Sequence, residues 1–148
     1  MALIIRPIME SDMKELAQIE SESFSTPWSE NSFRELLSID YARYLVAEYD
    51  GEIAGSAGMR IVAGEGDIDN VVVKESLRGK KIAQALISKL IELGRSEGVN
   101  EFTLEVRVSN APAIHVYEKA GFVSEGIRPN FYEKPTEDAN IMWLRFTS

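Results

Sequence analysis

A carboxylate, an amide and a phenol occur close together in one stretch of this sequence, residues 104–122. Glu105 lies in an apolar segment typical of a β-strand, Asn110 lies at the expected start of the next helix, and Tyr117 lies within that helix. A carboxylate can accept a proton, and a phenol can donate a hydrogen bond or a proton. The stretch therefore predicts a site with acid–base chemistry.

The alternation of residue types over 102–108 indicates which way Glu105 points, because successive side chains of a strand face opposite sides of the sheet. The apolar face holds Phe102, Leu104, Val106 and Val108, and the other face holds Thr103, Glu105 and Arg107. Glu105 is thus expected to face away from the apolar side of a buried strand. From these residues alone, Glu105 could instead pair with Arg107 or a lysine, and Tyr117 could be a half-buried helix residue.

The composition of the chain limits the kinds of chemistry and partner. Its 148 residues, 45% of them hydrophobic, fit a single domain over 1–148. The sequence has no cysteine, which excludes disulfides, thiolate metal sites and a cysteine nucleophile. We predict no metal site. A net charge of −8 disfavours sequence-independent nucleic-acid binding and fits a cationic partner, although an acidic surface also simply favours solubility.

The hydrophobicity pattern gives no sign of a membrane segment. No apolar run approaches the ~20 residues that a membrane helix needs, and the N-terminal residues lack the basic and apolar regions of a secretion signal. We therefore expect a soluble cytoplasmic protein with no membrane partner.

The periodicities along the chain alternate between strand and helix and predict an α+β domain. Its expected core is a central mixed, mostly antiparallel, twisted sheet flanked by helices. The first helix should begin at Asp12, with Glu15 completing a capping box, and a loop at 24–28 should lead to a second helix after Ser29. The Asp50-Gly51 pair predicts a hairpin. The predicted strands are 4–8, 44–49, 53–61, 68–73, 102–108 and 141–146, and the later predicted helices are 82–98 and 110–120.

A second informative segment, residues 71–87, passes from an apolar strand through a basic turn into a helix. The first N–H groups of a helix lack intrahelical partners and lie at the positive end of its dipole, so they can hold a phosphate or pyrophosphate. Arg78, Lys80 and Lys81 add positive charge. The turn could also be merely solvated, and it lacks the glycines of a Walker A loop or a dinucleotide-binding fingerprint.

Together the two segments resemble the acetyl-coenzyme A site of the GNAT N-acetyltransferase superfamily, and in particular its RimI-type branch. The resemblance spans nearly the whole chain and includes the strand 71–73, the block 104–122 and the C-terminal segment 128–144. The turn 78–83 matches the family pattern Gln/Arg-x-x-Gly-x-Gly/Ala, except that Lys81 replaces its central glycine. The resemblance assigns these residues to the coenzyme: Val71, Val72, Val73, Arg78, Gly79, Lys80, Lys81, Ile82, Ala83, Gln84 and Asn110.

The same resemblance implies roles for the remaining residues and a type of acceptor. Glu105 would be the general base and Tyr117 the general acid of a direct transfer from acetyl-coenzyme A to the N-terminal α-amine of a protein, in that branch a small-subunit ribosomal protein. The alternatives are transfer to a small amine or lysine, or coenzyme binding without catalysis. The side chains that could line an acceptor groove, or else belong to the core, are Phe24, Trp28, Met59 and Tyr132, the last in a predicted loop at 128–135.

Overall fold

The computed structural model describes residues 2–24 and 27–147, and its seven strands form one mixed sheet with helices on both faces. The order across the sheet is β1-β2-β3-β4-β5-β7-β6, and β4 and β5 run parallel whereas the other neighbours run antiparallel. The strands are β1 (Leu3–Pro7), β2 (Ala42–Tyr49), β3 (Glu52–Val62), β4 (Glu65–Val73), β5 (Glu101–Arg107), β6 (Val123–Tyr132) and β7 (Glu137–Arg145). The α-helices are α1 (Met13–Ser23), α2 (Glu30–Glu35), α3 (Ile82–Ser96) and α4 (Ala111–Lys119).

This architecture confirms the predicted α+β class with a mixed, mostly antiparallel sheet. The predicted hairpin joins β2 to β3 through Asp50 and Gly51, both at positive φ, as a tight two-residue hairpin turn requires. Residues 25 and 26 of the loop predicted at 24–28 lie outside the described part of the chain. None of the helices in the described ranges is long and apolar enough to cross a membrane.

Two apolar clusters pack on opposite faces of the sheet. One lies under α3 and α4 and includes Leu86, Leu90 and Phe102, and the other lies under α1 and α2 and includes Leu16 and Phe33. The alternation predicted for β5 places Phe102, Leu104 and Val106 in the core, as expected. Val108 is exposed because β5 ends one residue before it.

The predicted loop at 128–135 is wrong in its first part, because residues 128–132 belong to β6. This strand pairs with β7 at the end of the sheet, and nearly all of its residues are exposed. An exposed edge strand has no buried face and therefore shows no apolar alternation, and an edge position also tolerates Pro129. The sequence pattern by which strands are recognised is thus missing from β6.

The predicted capping box at the start of α1 is also wrong. The carboxylate of Asp12 accepts hydrogen bonds from two guanidinium nitrogens of Arg6, each at 2.8 Å, and from the N–H of Met9 at 2.7 Å. Its side chain makes no cap hydrogen bond to α1. Asp12 therefore ties β1 to the turn before the helix.

The parallel strands β4 and β5 separate after a short paired segment, and this separation positions the site. Their register partners are Glu65 with Glu101, Gly66 with Phe102 and Asp67 with Thr103, and in the described residues the pairing ends there. On its other side β4 contains a bulge opposite β3, between the pairs Gly58–Asp69 and Ser56–Val72. Asn70, inside this bulge, has a φ of 49°. A bulge bends a strand, and a gap opens between residues 69–73 and 104–107.

Candidate active site

The gap between β4 and β5 leads into two adjoining cavities of about 600 and 750 Å³. We name the smaller one the turn cavity, because the turn before α3 lines it, and the larger one the carboxylate cavity, because Glu20, Asp69 and Glu105 line it. Asn110 and Tyr117 line both cavities. Molecules bound in the two cavities would therefore meet beside α4.

The turn cavity brings together almost all of the residues predicted to contact the coenzyme. Its lining includes Val71, Val72, Val73, Arg78, Gly79, Lys81, Ile82, Ala83, Gln84 and Asn110. The structure places Lys80 elsewhere, because its Nζ lies 5.4 Å from the ring centroid of Tyr49 and its side chain is not part of the lining. The strand, the turn and the helix start therefore converge on one cavity.

The backbone of the turn explains the unusual lysine. Gly79 has a φ of 84°, and Lys81 has φ 62° and ψ 25°, in the left-handed region. A side chain in this region costs about 1–2 kcal/mol, which glycine avoids. The family pattern thus has glycine at this position because glycine adopts this backbone conformation without strain. Lys81 adopts the same conformation with the energetic cost stated above.

The turn also leads into a helix start that can hold an anion. Lys81 is the N-cap residue of α3 and makes no side-chain cap hydrogen bond. The first N–H groups of a helix have no intrahelical acceptors, and the helix dipole is positive at this end. Arg78 and Lys81 place two cationic side chains in the lining of the same cavity. These features fit a pyrophosphate group.

Asn110 caps α4 with its side-chain oxygen and leaves its side-chain nitrogen free to donate hydrogen bonds. Its Oδ1 accepts a hydrogen bond from the N–H of Ala113 at 3.3 Å, which caps the helix. A side-chain amide also carries two donors on its nitrogen, and within the described residues these donors have no protein acceptor. Asn110 can therefore donate to a ligand in either cavity.

Glu105 is a half-buried carboxylate with one nearby cation. Burial and the charge of Asp67 raise the pKa of Glu105 above its ordinary value, and Arg128 opposes this rise. The guanidinium of Arg128 lies 3.5 Å from Glu105 Oε2. The pairing with Arg107 that the sequence left open is not formed, because Arg107 binds Glu137 at 3.2 Å. A raised pKa makes the Glu105 carboxylate a stronger base.

Tyr117 presents its phenol to both cavities. The residue is 7% exposed, so it is more buried than the half-buried helix position considered from sequence. Burial, with a smaller effect from Tyr132, raises the pKa of Tyr117. No hydrogen bond from its hydroxyl to another described residue contributes to this shift. The phenol thus stays protonated over the physiological pH range and has a donor available for a ligand.

Three of the four predicted acceptor-groove residues line the carboxylate cavity, namely Phe24, Trp28 and Tyr132. Met59 is a correction, because it is 1% exposed and packs in the core beneath α3, apart from both cavities. β3 is buried over most of its length, and Met59 packs on the face toward α3.

Two residues of the carboxylate cavity, Glu20 and Asp69, were not identified from the sequence. Glu20 is 1% exposed, and its Oε1 accepts hydrogen bonds from the N–H of Trp28 at 3.1 Å and from Asn70 Nδ2 at 3.2 Å. Burial raises the pKa of Glu20 to about 7 and that of Asp69 to about 6. Asp69 follows the apolar Ile68 in its strand, and this alternation predicts that the Asp69 side chain lies on the opposite face. No sequence pattern indicates that Asp69 lies near Glu105.

Known proteins with a similar sequence are N-acetyltransferases, in agreement with the two cavities described above. Residues 13–122 match the model of the Acetyltransferase (GNAT) family. A Bacillus subtilis protein with the provisional name [ribosomal protein bS18]-alanine N-acetyltransferase is 40% identical over 141 residues, which cover 95% of this chain and 93% of that protein. The [ribosomal protein bS18]-alanine N-acetyltransferase of Escherichia coli K12 is 34% identical over 138 residues, with coverages of 90% and 91%.

A solved structure gives the same result for the fold. The crystal structure of the ribosomal-protein-S18-alanine N-acetyltransferase from Escherichia coli superposes with a TM-score of 0.90 at 30% identity, and the match covers 99% of this chain and 96% of that one. The family match extends over most of the chain and includes the whole lining of the turn cavity and, except for residues 131–135, that of the carboxylate cavity. The chain belongs to the GNAT family and is an acetyl-coenzyme A-dependent N-acetyltransferase.

Proposed function

We propose that this enzyme transfers the acetyl group of acetyl-coenzyme A to the N-terminal α-amine of a protein, and that the protein is ribosomal protein bS18. The observation that carries the proposal is the meeting of two cavities at Tyr117, one suited to a pyrophosphate and the other lined by carboxylates. The names of the relatives from Bacillus subtilis and Escherichia coli support the choice of bS18.

The turn cavity is the proposed site of acetyl-coenzyme A. The first N–H groups of α3, together with Arg78 and Lys81, would hold the pyrophosphate. Beyond Asp67 the described residues of β4 have no pairing with β5, so the edge of residues 71–73 is open to the pantetheine arm. Bound there, acetyl-coenzyme A supplies an activated thioester. Asn110 would donate a hydrogen bond near the acetyl end.

The acceptor amine must lose a proton before it can attack the acetyl carbon. An α-amino group has a pKa of about 7.7–8.0 and a lysine about 10.4, so a neutral lysine amine costs roughly 3.5 kcal/mol more to form. Glu105, half-buried and with a raised pKa, accepts this proton directly or through a water molecule. A base of modest strength is therefore matched to an α-amine.

The transfer itself is proposed to be direct, in a ternary complex, because the sequence has no cysteine to carry the acetyl group. The nitrogen–carbon bond forms, the carbon–sulfur bond breaks, and negative charge develops on the departing sulfur. Tyr117 donates a hydrogen bond to that sulfur. Its raised pKa keeps the proton mainly on the phenol, which favours hydrogen bonding over full proton donation.

A competition assay tests the choice of acceptor. The enzyme is incubated with acetyl-coenzyme A and equal amounts of a bS18 N-terminal peptide, the same peptide with a blocked α-amine and an internal lysine, and a polyamine. Mass spectrometry then locates the acetyl groups. The proposal predicts acetylation mainly on the α-amine of the bS18 peptide. Preferred acetylation of the lysine or polyamine would contradict it, and acetylation of none of them would favour coenzyme binding without this activity.

A further inference from the structure

We propose that Asp69 is a second carboxylate of the acceptor site and binds the acceptor's ammonium group together with Glu105. The inference rests on the proposed function, since it concerns the same acceptor. Asp67 and Thr103 are register partners in the parallel pair β4–β5, and Asp69 and Glu105 follow two residues later on each strand. Side chains two residues apart share a face. Asp69 and Glu105 therefore project from one face, across the gap, into the carboxylate cavity.

Asp69 has a carboxylate that the protein leaves uncompensated. In the described residues it makes no hydrogen bond or ion pair, and Arg60 acts on it only as a more distant charge. Burial and the charges of Asp67 and Glu105 disfavour its ionised form. Such a carboxylate is costly in a partly desolvated site unless a cation enters. By contrast, Glu105 already has Arg128 beside it.

Glu20 provides an independent indication that this cavity receives a cation. It is 1% exposed and lines the same cavity, and its Oε2 has no hydrogen-bond partner among the described residues. Asp69 acts electrostatically on Glu20, and Glu105 acts on Asp69. Glu20, Asp69 and Glu105 thus form a series of interacting carboxylates from α1 through β4 to β5. Glu20 is too buried to touch the acceptor and contributes only its negative potential.

An ammonium group matches two carboxylates because it has three N–H donors. One proton passes to Glu105 and leaves the neutral amine, whose lone pair forms the bond to the acetyl carbon while a second N–H remains hydrogen bonded to Asp69. The nitrogen then gives up another proton, the carbon–sulfur bond breaks, and the sulfur takes up a proton and leaves as the thiol. The proton on Glu105 passes to solvent. The balance is ammonium plus thioester giving amide, thiol and one released proton. Asp69 holds the nitrogen throughout and takes no proton.

The test compares Asp69→Asn with Glu65→Gln, a control that neutralises an exposed carboxylate on the same strand, outside the lining of either cavity. Four quantities are measured for each variant: kcat, the acceptor KM, the Kd of acetyl-coenzyme A, and the inhibition constant of the N-acetylated product peptide, which has no ammonium. For Asp69→Asn we expect the acceptor KM to rise about 10- to 100-fold. The Kd of acetyl-coenzyme A and the product inhibition constant should stay within about twofold, as should every value for Glu65→Gln.

Three outcomes separate this inference from the proposed function. An unchanged acceptor KM in Asp69→Asn would overturn the inference, and so would an equal loss of affinity for the acceptor and its acetylated product, which would indicate a structural role. In both cases α-amine acetylation by the wild-type enzyme would leave the proposed function standing. If Asp69→Asn does not bind acetyl-coenzyme A, Asp69→Ser is measured in its place. An unchanged acceptor KM, or an equal loss of affinity for acceptor and product, would then overturn the inference. Absence of α-amine acetylation by the wild-type enzyme would overturn the proposed function and the inference with it.

Discussion

Arg128 Nη1 lies 3.5 Å from Glu105 Oε2, although the two residues are on strands separated by β7. Arg128 is the cation that opposes the raised pKa of Glu105, against the effects of burial and of Asp67. The basicity that burial gives Glu105 is therefore limited by a side chain on β6, a strand that the sequence pattern does not reveal.

Removing this cation should change the pH dependence of the reaction. In Arg128→Gln the pKa of Glu105 rises further, so the carboxylate becomes protonated at a higher pH. The acidic limb of the kcat/KM profile for the acceptor should therefore move to higher pH. Arg145→Gln is the control, because Arg145 pairs with Glu101 and Glu125 at the other end of the same strands. An acidic limb that stays in place or moves to lower pH contradicts this role of Arg128.

Replacing Lys81 with glycine should relieve the strained turn. Because Lys81 has a φ of 62°, Lys81→Gly should increase the free energy of unfolding by about 1 kcal/mol, measured by urea denaturation. Acetyl-coenzyme A binding should be intact or stronger in a titration. Lys80→Gly, at the neighbouring position without positive φ, should be neutral or destabilising. Complete loss of coenzyme affinity in Lys81→Gly would show that the turn is not the coenzyme site.

Removing the Tyr117 hydroxyl should slow turnover without affecting the fold. For Tyr117→Phe we expect kcat to fall about 10²- to 10³-fold, as for other donors to developing negative charge. The Kd of acetyl-coenzyme A should change little. Thermal stability should change little, because no hydrogen bond to the described residues is lost with the hydroxyl. Tyr41→Phe, at an exposed position, serves as the control. A wild-type kcat in Tyr117→Phe would remove Tyr117 from the mechanism.

Glu20 should make the stability of the enzyme depend on pH. Burial raises the pKa of Glu20 from 4.5 to about 7 in the folded protein. Between these values the folded state binds more protons than the unfolded state, so this residue lowers stability as pH rises. Relative to wild type, Glu20→Gln should therefore gain stability with increasing pH, on the order of 1–3 kcal/mol in total.

Urea denaturation at a series of pH values measures this difference. Glu22→Gln, which makes the same change on an exposed part of α1, is the control. The other ionisable groups are common to wild type and variant, so the comparison isolates Glu20 together with its electrostatic coupling to Asp69. A stability difference between Glu20→Gln and wild type that does not depend on pH would contradict the raised pKa of Glu20.

The sequence predicts those parts of the fold that have a local physical signal. The apolar alternation of β5, the Asp50-Gly51 turn and the amphipathic face of α3 each specify an element, and the structure contains all three. β6 has no such signal because its side chains are mostly exposed.

The composition of the site depends on longer-range structure. Asp69 meets Glu105 only because β4 and β5 pair in one register and then separate at a bulge. A single sequence contains no local pattern for strand pairs that lie so far apart in the chain. The same reason explains Met59, whose residue type suits a groove or a core and whose position in the sheet places it in the core.

The most direct test of the central claim compares wild-type enzyme with Glu105→Gln on a bS18 N-terminal peptide, with turnover and the site of acetylation followed by mass spectrometry. We expect α-amine acetylation by the wild type. For Glu105→Gln we expect a kcat lower by about 100-fold or more, because general-base catalysis is lost, with a nearly unchanged Kd for acetyl-coenzyme A. A wild-type rate of α-amine acetylation by Glu105→Gln would contradict the account.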